Sequence, residues 1–172
     1  MNEVLKALKE RRSYRRFTDE EVPDDVLAQI LEAGTYAPTG MGMQSPKMVV
    51  VKKGETFEKI REMNMSVMGS DKDPFYGASL MVIVLADTNR STYIEDGSLV
   101  MGNLMLAAHS LGVASCWIHR ARQEFESPEG KELLKEWGIS DNYAGIGHCI
   151  LGYSDAEPRA ALPRKEDYVT FA

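Results

Sequence analysis

Residues 11 to 17 read Arg-Arg-Ser-Tyr-Arg-Arg-Phe, so Arg11, Arg12, Arg15 and Arg16 crowd four guanidinium groups together in a 172-residue chain whose formal net charge is −6. Like charges this close repel one another unless an anion sits among them. Guanidinium forks grip phosphate oxygens in a bidentate way, and Ser13 adds a hydroxyl donor, so the chemistry on offer is capture of a small phosphate monoester. The other reading is a solvated basic face pairing with Asp19, Glu20 and Glu21. A second basic cluster, Arg159, Arg164 and Lys165, completes the same anion site if the tail folds back, and is a solubilising tail if it does not.

The stretch from Pro38 to Ser45 holds Thr39, Gly40, Met41, Gly42, Met43 and Gln44, glycine-rich backbone that can approach a flat ligand closely or simply form a surface loop. Neither G-x-x-x-x-G-K-[ST] nor G-x-G-x-x-G occurs. Met41, Met43, Met63, Met65 and Met68 suit either an adaptable apolar pocket or ordinary gap-filling. His109, His119 and His148 have no metal-ligand spacing and read as core or surface histidines. Cys116 and Cys149 form no C-x-x-C pair and read as reduced core thiols, and no G-x-S-x-G elbow is present. With no nucleophile or metal set in view, the chemistry is assigned to a cofactor.

The elements that must position these residues follow from periodicity. Residues 3 to 12 read as a helix with Val4, Leu5 and Leu8 on one face, and Pro23-Asp24-Asp25 opens a second with Leu27, Ile30, Leu31 and Gly34 in line. Lys47 to Lys52 reads as a strand, Glu55 to Met65 as a helix and Leu80 to Leu85 as a buried strand. Thr92-Tyr93-Ile94-Glu95 has the capping-box pattern, and the helix from there to Leu111 is apolar nearly all round, as if covered by a partner subunit. Val113 to Ile118 and Gly145 to Gly152 read as strands flanking a helix from Pro128 to Trp137. The irregular alternation favours α+β, in one domain over 1–172 with a polar tail from about 154 to 172. Hydrophobic residues at 44% and charged residues at 27% are those of a soluble globular protein. The absence of an 18-residue apolar run and of a basic, apolar leader makes the cytoplasm the expected compartment, and the acidic balance argues against nucleic acid or membrane as partners.

Taken in order, Arg11-Arg12-Ser13-x-Arg15-x-Phe17, Val22-Pro23, Ala37-Pro38-Thr39-Gly40-Met41 and Gln44-Ser45-Pro46 resemble the FMN-dependent nitroreductase family. The resemblance continues through Phe75-Tyr76-Gly77-Ala78, Asn103-Leu104-x-Leu106-Ala107-Ala108-His109-x-Leu111-Gly112, Ser115-Cys116-Trp117-Ile118, Leu151-Gly152-Tyr153 and Pro163-Arg164-Lys165. It implies a nitroreductase-like α+β fold, with a central, mostly antiparallel or mixed sheet flanked by helices. It further implies an interlocked homodimer with FMN at the subunit interface, the tail crossing to the partner.

By position, the resemblance gives Arg11, Ser13 and Arg15 contacts to the flavin phosphate, ribityl chain and pyrimidine edge, with Arg12 as helper. Pro38, Thr39, Gly40, Met41 and Gln44 correspond to the loop that reaches the flavin ring from the partner, and Asn64 to an asparagine whose amide bonds that ring. Trp117, Ile118 and His119 fall near the flavin N5 side, and Arg164 and Lys165 near its phosphate. Gly42-Met43 and His119 depart from common family residues at the substrate face. The implied reaction is two-step: NADH or NADPH reduces FMN and leaves, and a nitroaromatic, quinone or similar small acceptor takes its place. Rival readings are a dehalogenase or flavin-degrading enzyme of the same fold, a flavin storage or sensing module, and a nucleic-acid contact at RRSYRRF.

Overall fold

The structure is a computed structural model describing residues 1–172. Its elements are α1 (Glu3–Glu10), α2 (Asp24–Thr35), a 3-10 turn (Gly40–Gly42), β1 (Pro46–Lys52), α3 (Glu55–Met68), β2 (Leu80–Asp87), α4 (Tyr93–Ser110), β3 (Ala114–Ile118), α5 (Ala121–Glu126), α6 (Pro128–Glu136) and β4 (Tyr143–Gly152). The strands form one sheet in the order β1-β2-β4-β3, every pair antiparallel. The expected α+β class is what the chain adopts.

Side-chain alternation explains the two layers. On β2, Leu80, Val82, Val84 and Ala86 pack with Leu27 and Ile30 of α2 and Val100, Met101, Leu104 and Ala108 of α4. The intervening Met81, Ile83 and Leu85 face Phe57 and Ile60 of α3, Phe125 of α5 and Leu133 and Leu134 of α6. β2 is therefore buried on both faces, which is why it reads as a continuous apolar run. Burying each such side chain contributes about 1.5–3 kcal/mol. Between Val84↔Gly147 and Leu85↔Gly145 the register slips, leaving Ile146 as a bulge that packs against Gly97 of α4; a Cβ at Gly97 would lie 2.5 Å from it.

The two sheet edges differ. β1 begins with Pro46, which has no N–H to offer, and carries exposed Lys47 and Lys52. The outer edge of β3 receives one parallel bridge, Ser13↔Ser115. No helix is long and apolar enough to cross a membrane.

Three local features depart from expectation, at the end of α1, at Thr92 and in α5. α1 stops at Glu10 instead of residue 12, with Arg11 extended (φ −54°, ψ 133°), because the Arg12 side chain turns back onto the helix end. Thr92 makes no capping bond, and its hydroxyl serves Asp96 instead. Within the single chain α4 leaves Ile94 and Leu99 exposed, on the surface that the expected partner would cover. α5 escapes periodicity because its buried face, Ala121, Glu124 and Phe125, includes a carboxylate.

Candidate functional site

The basic segment is laid along the free edge of β3. Tyr14 N–H donates to Ser115 O at 3.0 Å and Thr18 N–H to Tyr153 O at 2.9 Å. Phe17 packs over Gly152, where a Cβ would come within 2.9 Å of its ring and push it aside. This anchoring gives the four arginines four different environments. Arg12 donates from Nη1 to Lys9 O and Arg11 O, both at 2.7 Å, and from Nε to Arg159 O at 3.1 Å. It caps α1 and ties down the tail, because the last carbonyls of a helix have no partner within it. Arg16 pairs with Asp155 at 2.7 Å on the surface. Arg15 is exposed and makes no ion pair or side-chain hydrogen bond within the chain. Arg11 is the unusual one: its Nη1 is buried with no acceptor.

An unspent guanidinium donor that has lost its water is costly and waits for an acceptor. Arg11 opens on a cleft of about 640 Å³ that it shares with Lys9, Arg12, Ser13 and, from the tail, Leu162 and Arg164. Arg164 donates from Nε and Nη2 to Leu162 O at 3.1 and 2.6 Å. The two basic clusters of the sequence thus meet here, although Lys165 is exposed and does not line the cleft. Burial pushes the Cys116 thiol up against the opposing pull of Arg15, Ser13 and Arg11. Complete burial takes Cys149 up to about 12. Both are free thiols that stay protonated, as core cysteines do.

The Pro38 loop is held from below by Asp96, which is 2% exposed and accepts from Gly40 N–H at 2.9 Å and Ser45 Oγ at 2.6 Å. Burial alone would raise this carboxyl; hydrogen bonds from Ser45, Gly40 and Thr92 outweigh it and hold it below the usual carboxylate value. Gly40 runs so close to Thr92 that a Cβ would lie 2.3 Å from its Oγ1. Above this anchor, Met41 and Gln44 take left-handed backbone (φ 53° and 49°), and Met41 is 91% exposed. Strain of that kind persists only where surroundings impose it, and it presents Met41 outward. Pro38 is exposed, and Thr39 Oγ1 accepts from Gln44 N–H at 3.0 Å.

Register places this loop far from its own arginines. Ser13 is level with Ser115, Leu151, Leu80 and Lys52, whereas the loop enters β1 at Pro46, six residues away along that strand. Four strand spacings across and six residues along amount to about 19 Å and about 20 Å. The basic segment and the Pro38 loop occupy diagonal corners of the sheet.

At the end of β3, Trp117 lies over Gly147, where a Cβ would come within 2.5 Å of its Nε1. Ile118 is buried opposite His148, and His119 is exposed. Asn64 differs from expectation. It is fully buried, and its amide is spent inside the protein: Nδ2 donates to His119 O at 3.0 Å and to Glu124 Oε1, while Oδ1 accepts from Arg120 Nε at 2.9 Å. Both N–H groups of that amide and one acceptor position of its oxygen are thus engaged inside the protein. Glu124 and Arg120 escape notice in the sequence, where His148 reads only as a core or surface histidine; its place in the apolar run Gly145 to Gly152 is the one signal that pointed to them.

Two helical layers pack on an antiparallel sheet, with an arginine cleft at one edge and a strained loop at the opposite corner. The chain belongs to the nitroreductase family, whose profile matches residues 8–77 and 71–153. The Bacillus subtilis protein named FMN reductase [NAD(P)H] is 35% identical over 186 residues, covering 95% of this chain and 70% of that one. A curated relative from Methanothermobacter thermautotrophicus is 33% identical over 120 residues; the match takes in 67% of this chain and 60% of that one. Among solved structures, a Bacteroides fragilis nitroreductase with bound FMN superposes with a TM-score of 0.90 at 30% identity, covering all of both chains.

Proposed function

We propose that this chain is an FMN-dependent NAD(P)H oxidoreductase that reduces nitroaromatics, quinones or related small acceptors, working in the cytoplasm as a homodimer. The observation that carries it is the buried, unpartnered Nη1 of Arg11 in a cleft that also holds Lys9, Ser13 and Arg164. This donor set fits a phosphate monoester: a preformed cation, a hydroxyl and a second guanidinium, with no carboxylate among the lining residues. FMN carries such a phosphate and, when bound, supplies hydride acceptance and donation at its N5 position.

Arg11, Ser13 and Arg164 hold the phosphate, Lys165, next along the tail, adds positive charge outside the cleft lining, and Arg12 serves them indirectly by fixing α1 and the tail. Arg15, unpaired and exposed, places positive charge beside the flavin's pyrimidine edge. Trp117, Ile118 and His119 border the ring, and the flat substrate lies over its open face. Pro38, Thr39, Gly40, Met41 and Gln44 belong to the site of the partner subunit, a reading supported by their place at the corner diagonal to Ser13. Residues 1–172 form one domain whose tail, from about 154, reaches the partner. Exposed Val4, Leu5, Leu8 and Leu162 supply apolar surface for that contact.

The test is the visible spectrum of the purified protein, identification of the released cofactor, and NAD(P)H oxidation with nitrofurazone or menadione. A yellow protein releasing FMN and turning over either acceptor is expected. Failure to take up FMN on reconstitution overturns the proposal, and flavin uptake with no turnover leaves the storage reading in its place.

A further inference from the structure

The fold contains a polar cluster that neither the core nor the phosphate cleft explains. Asn64 of α3, Glu124 of α5 and His148 of β4 are each 0% exposed. Glu124 accepts from Asn64 on one oxygen and from His148 Nε2, at 2.8 Å, on the other. Apolar rings enclose the group: Phe75 lies 5.5 Å and Phe125 6.5 Å from the His148 ring, centroid to centroid. His148 Nδ1 is buried without a partner, and donation from Nε2 leaves it as a bare acceptor, which costs less than a stranded N–H. Three buried polar side chains from three elements are an expensive way to fill a core.

The cluster converges on one feature, the turn between β3 and α5. Asn64 Nδ2 pulls the His119 carbonyl inward at 3.0 Å, and Asn64 Oδ1 holds Arg120 Nε at 2.9 Å. Arg120 has φ 80°, a conformation a non-glycine residue keeps only when it is held there. Gly145 lets the end of this turn press onto β4, since a Cβ there would meet Ala121 O at 2.2 Å.

We propose that Asn64, Glu124 and His148 are positioning residues: a buried brace that locks the His119–Arg120 turn and thereby sets the shape of the flavin edge. The link to the flavin rests on the reading that this turn borders it; the brace itself rests on the geometry alone. Glu124 is the keystone, because it alone accepts from both other members. Replacing it by Gln keeps volume but puts an N–H2 where an acceptor stood: toward Asn64 that bond is lost, and toward His148 it survives only in the tautomer that strands an N–H on the buried Nδ1.

The test uses Glu124→Gln, with Asn64→Leu as a second variant, in two arms. In flavin-free protein, trypsin cleavage after Arg120 is compared with cleavage after the exposed Lys53. The expected result is at least a fivefold rise of that ratio in both variants, and an unchanged ratio overturns the brace even if thermal stability falls. In FMN-loaded protein, kcat is expected to drop about tenfold with KM for NADH within about twofold, accompanied by an altered visible circular-dichroism band of the flavin. An unchanged flavin band and kcat, with a raised cleavage ratio, overturn the link to the flavin. Should the wild type take up no FMN, the functional reading fails while the cleavage ratio still decides the brace.

Discussion

Ser45 Oγ donates to Asp96 Oδ2 at 2.6 Å, a hydrogen bond between buried partners 51 positions apart that fastens the end of the Pro38 loop to the first turn of α4. With Gly40 N–H on the other oxygen, one carboxylate secures both sides of the loop. Asp96→Asn keeps Gly40 N–H on its oxygen but turns an amide N–H2 toward Ser45, whose hydroxyl must then accept, so two hydrogen bonds to a carboxylate become neutral ones at a cost of about 1–3 kcal/mol. The sign with pH follows from the lowered carboxyl. Its contribution is complete above the unfolded value of 3.8 and is lost as pH falls through the folded one. Urea unfolding should separate wild type from Asp96→Asn at pH 7, the gap narrowing below about pH 4; a gap independent of pH would contradict this account.

Gly40→Ala should loosen the same loop, because its Cβ meets Thr92 Oγ1 at 2.3 Å. In a Thr92→Ala background the added methyl should cost less, with a coupling of about 0.5–3 kcal/mol in a double-mutant cycle. Additive effects would mean that the loop moves aside freely.

Arg11 and Arg12 are neighbours with different work. Arg11→Ala should weaken FMN binding about 10- to 150-fold, the equivalent of about 1.5–3 kcal/mol for a hydrogen bond to a charged group. Arg12→Ala should change affinity by less than about threefold while fraying α1 and freeing the tail. Flavin-fluorescence titration paired with limited proteolysis of residues 154–172 distinguishes the two, and equal affinity losses would argue against this division.

Arg15→Ala should make the bound flavin harder to reduce, since it removes a positive charge that no carboxylate offsets. The midpoint potential is the measurement, and an unchanged value removes Arg15 from that role.

Diagonal placement of Ser13 and the Pro38 loop predicts complementation. Arg11→Ala and Gly40→Val homodimers should each be impaired, and mixing them under subunit exchange should restore about a quarter of wild-type activity, through pairs that retain one intact site. No recovery in demonstrably mixed dimers would assign both elements to one protomer's site.

Much of this was legible in the sequence, for identifiable reasons. β2 and α2 announced themselves because one is apolar on both faces and the other has a single apolar stripe. The joining of Arg11 to Arg164 followed from their chemistry, once the tail was allowed to fold back. What stayed hidden depends on side chains that act at a distance. Thr92 looks like a helix cap until Asp96, four residues on, claims its hydroxyl. Asn64 looks like a ligand contact until Glu124, 60 positions away, takes its amide. Arg12 and Arg11 are the same residue type side by side, and only the path of the chain against β3 gives one to the helix end and the other to the cleft.

The unequal sheet edges carry a consequence for assembly. Pro46, Lys47 and Lys52 blunt one edge against an incoming strand, while the other is already met by the chain's own Ser13 and Tyr14. Substitution of both lysines by valine would weaken that closure and leave β1 open to strand pairing, read as aggregation of the folded protein.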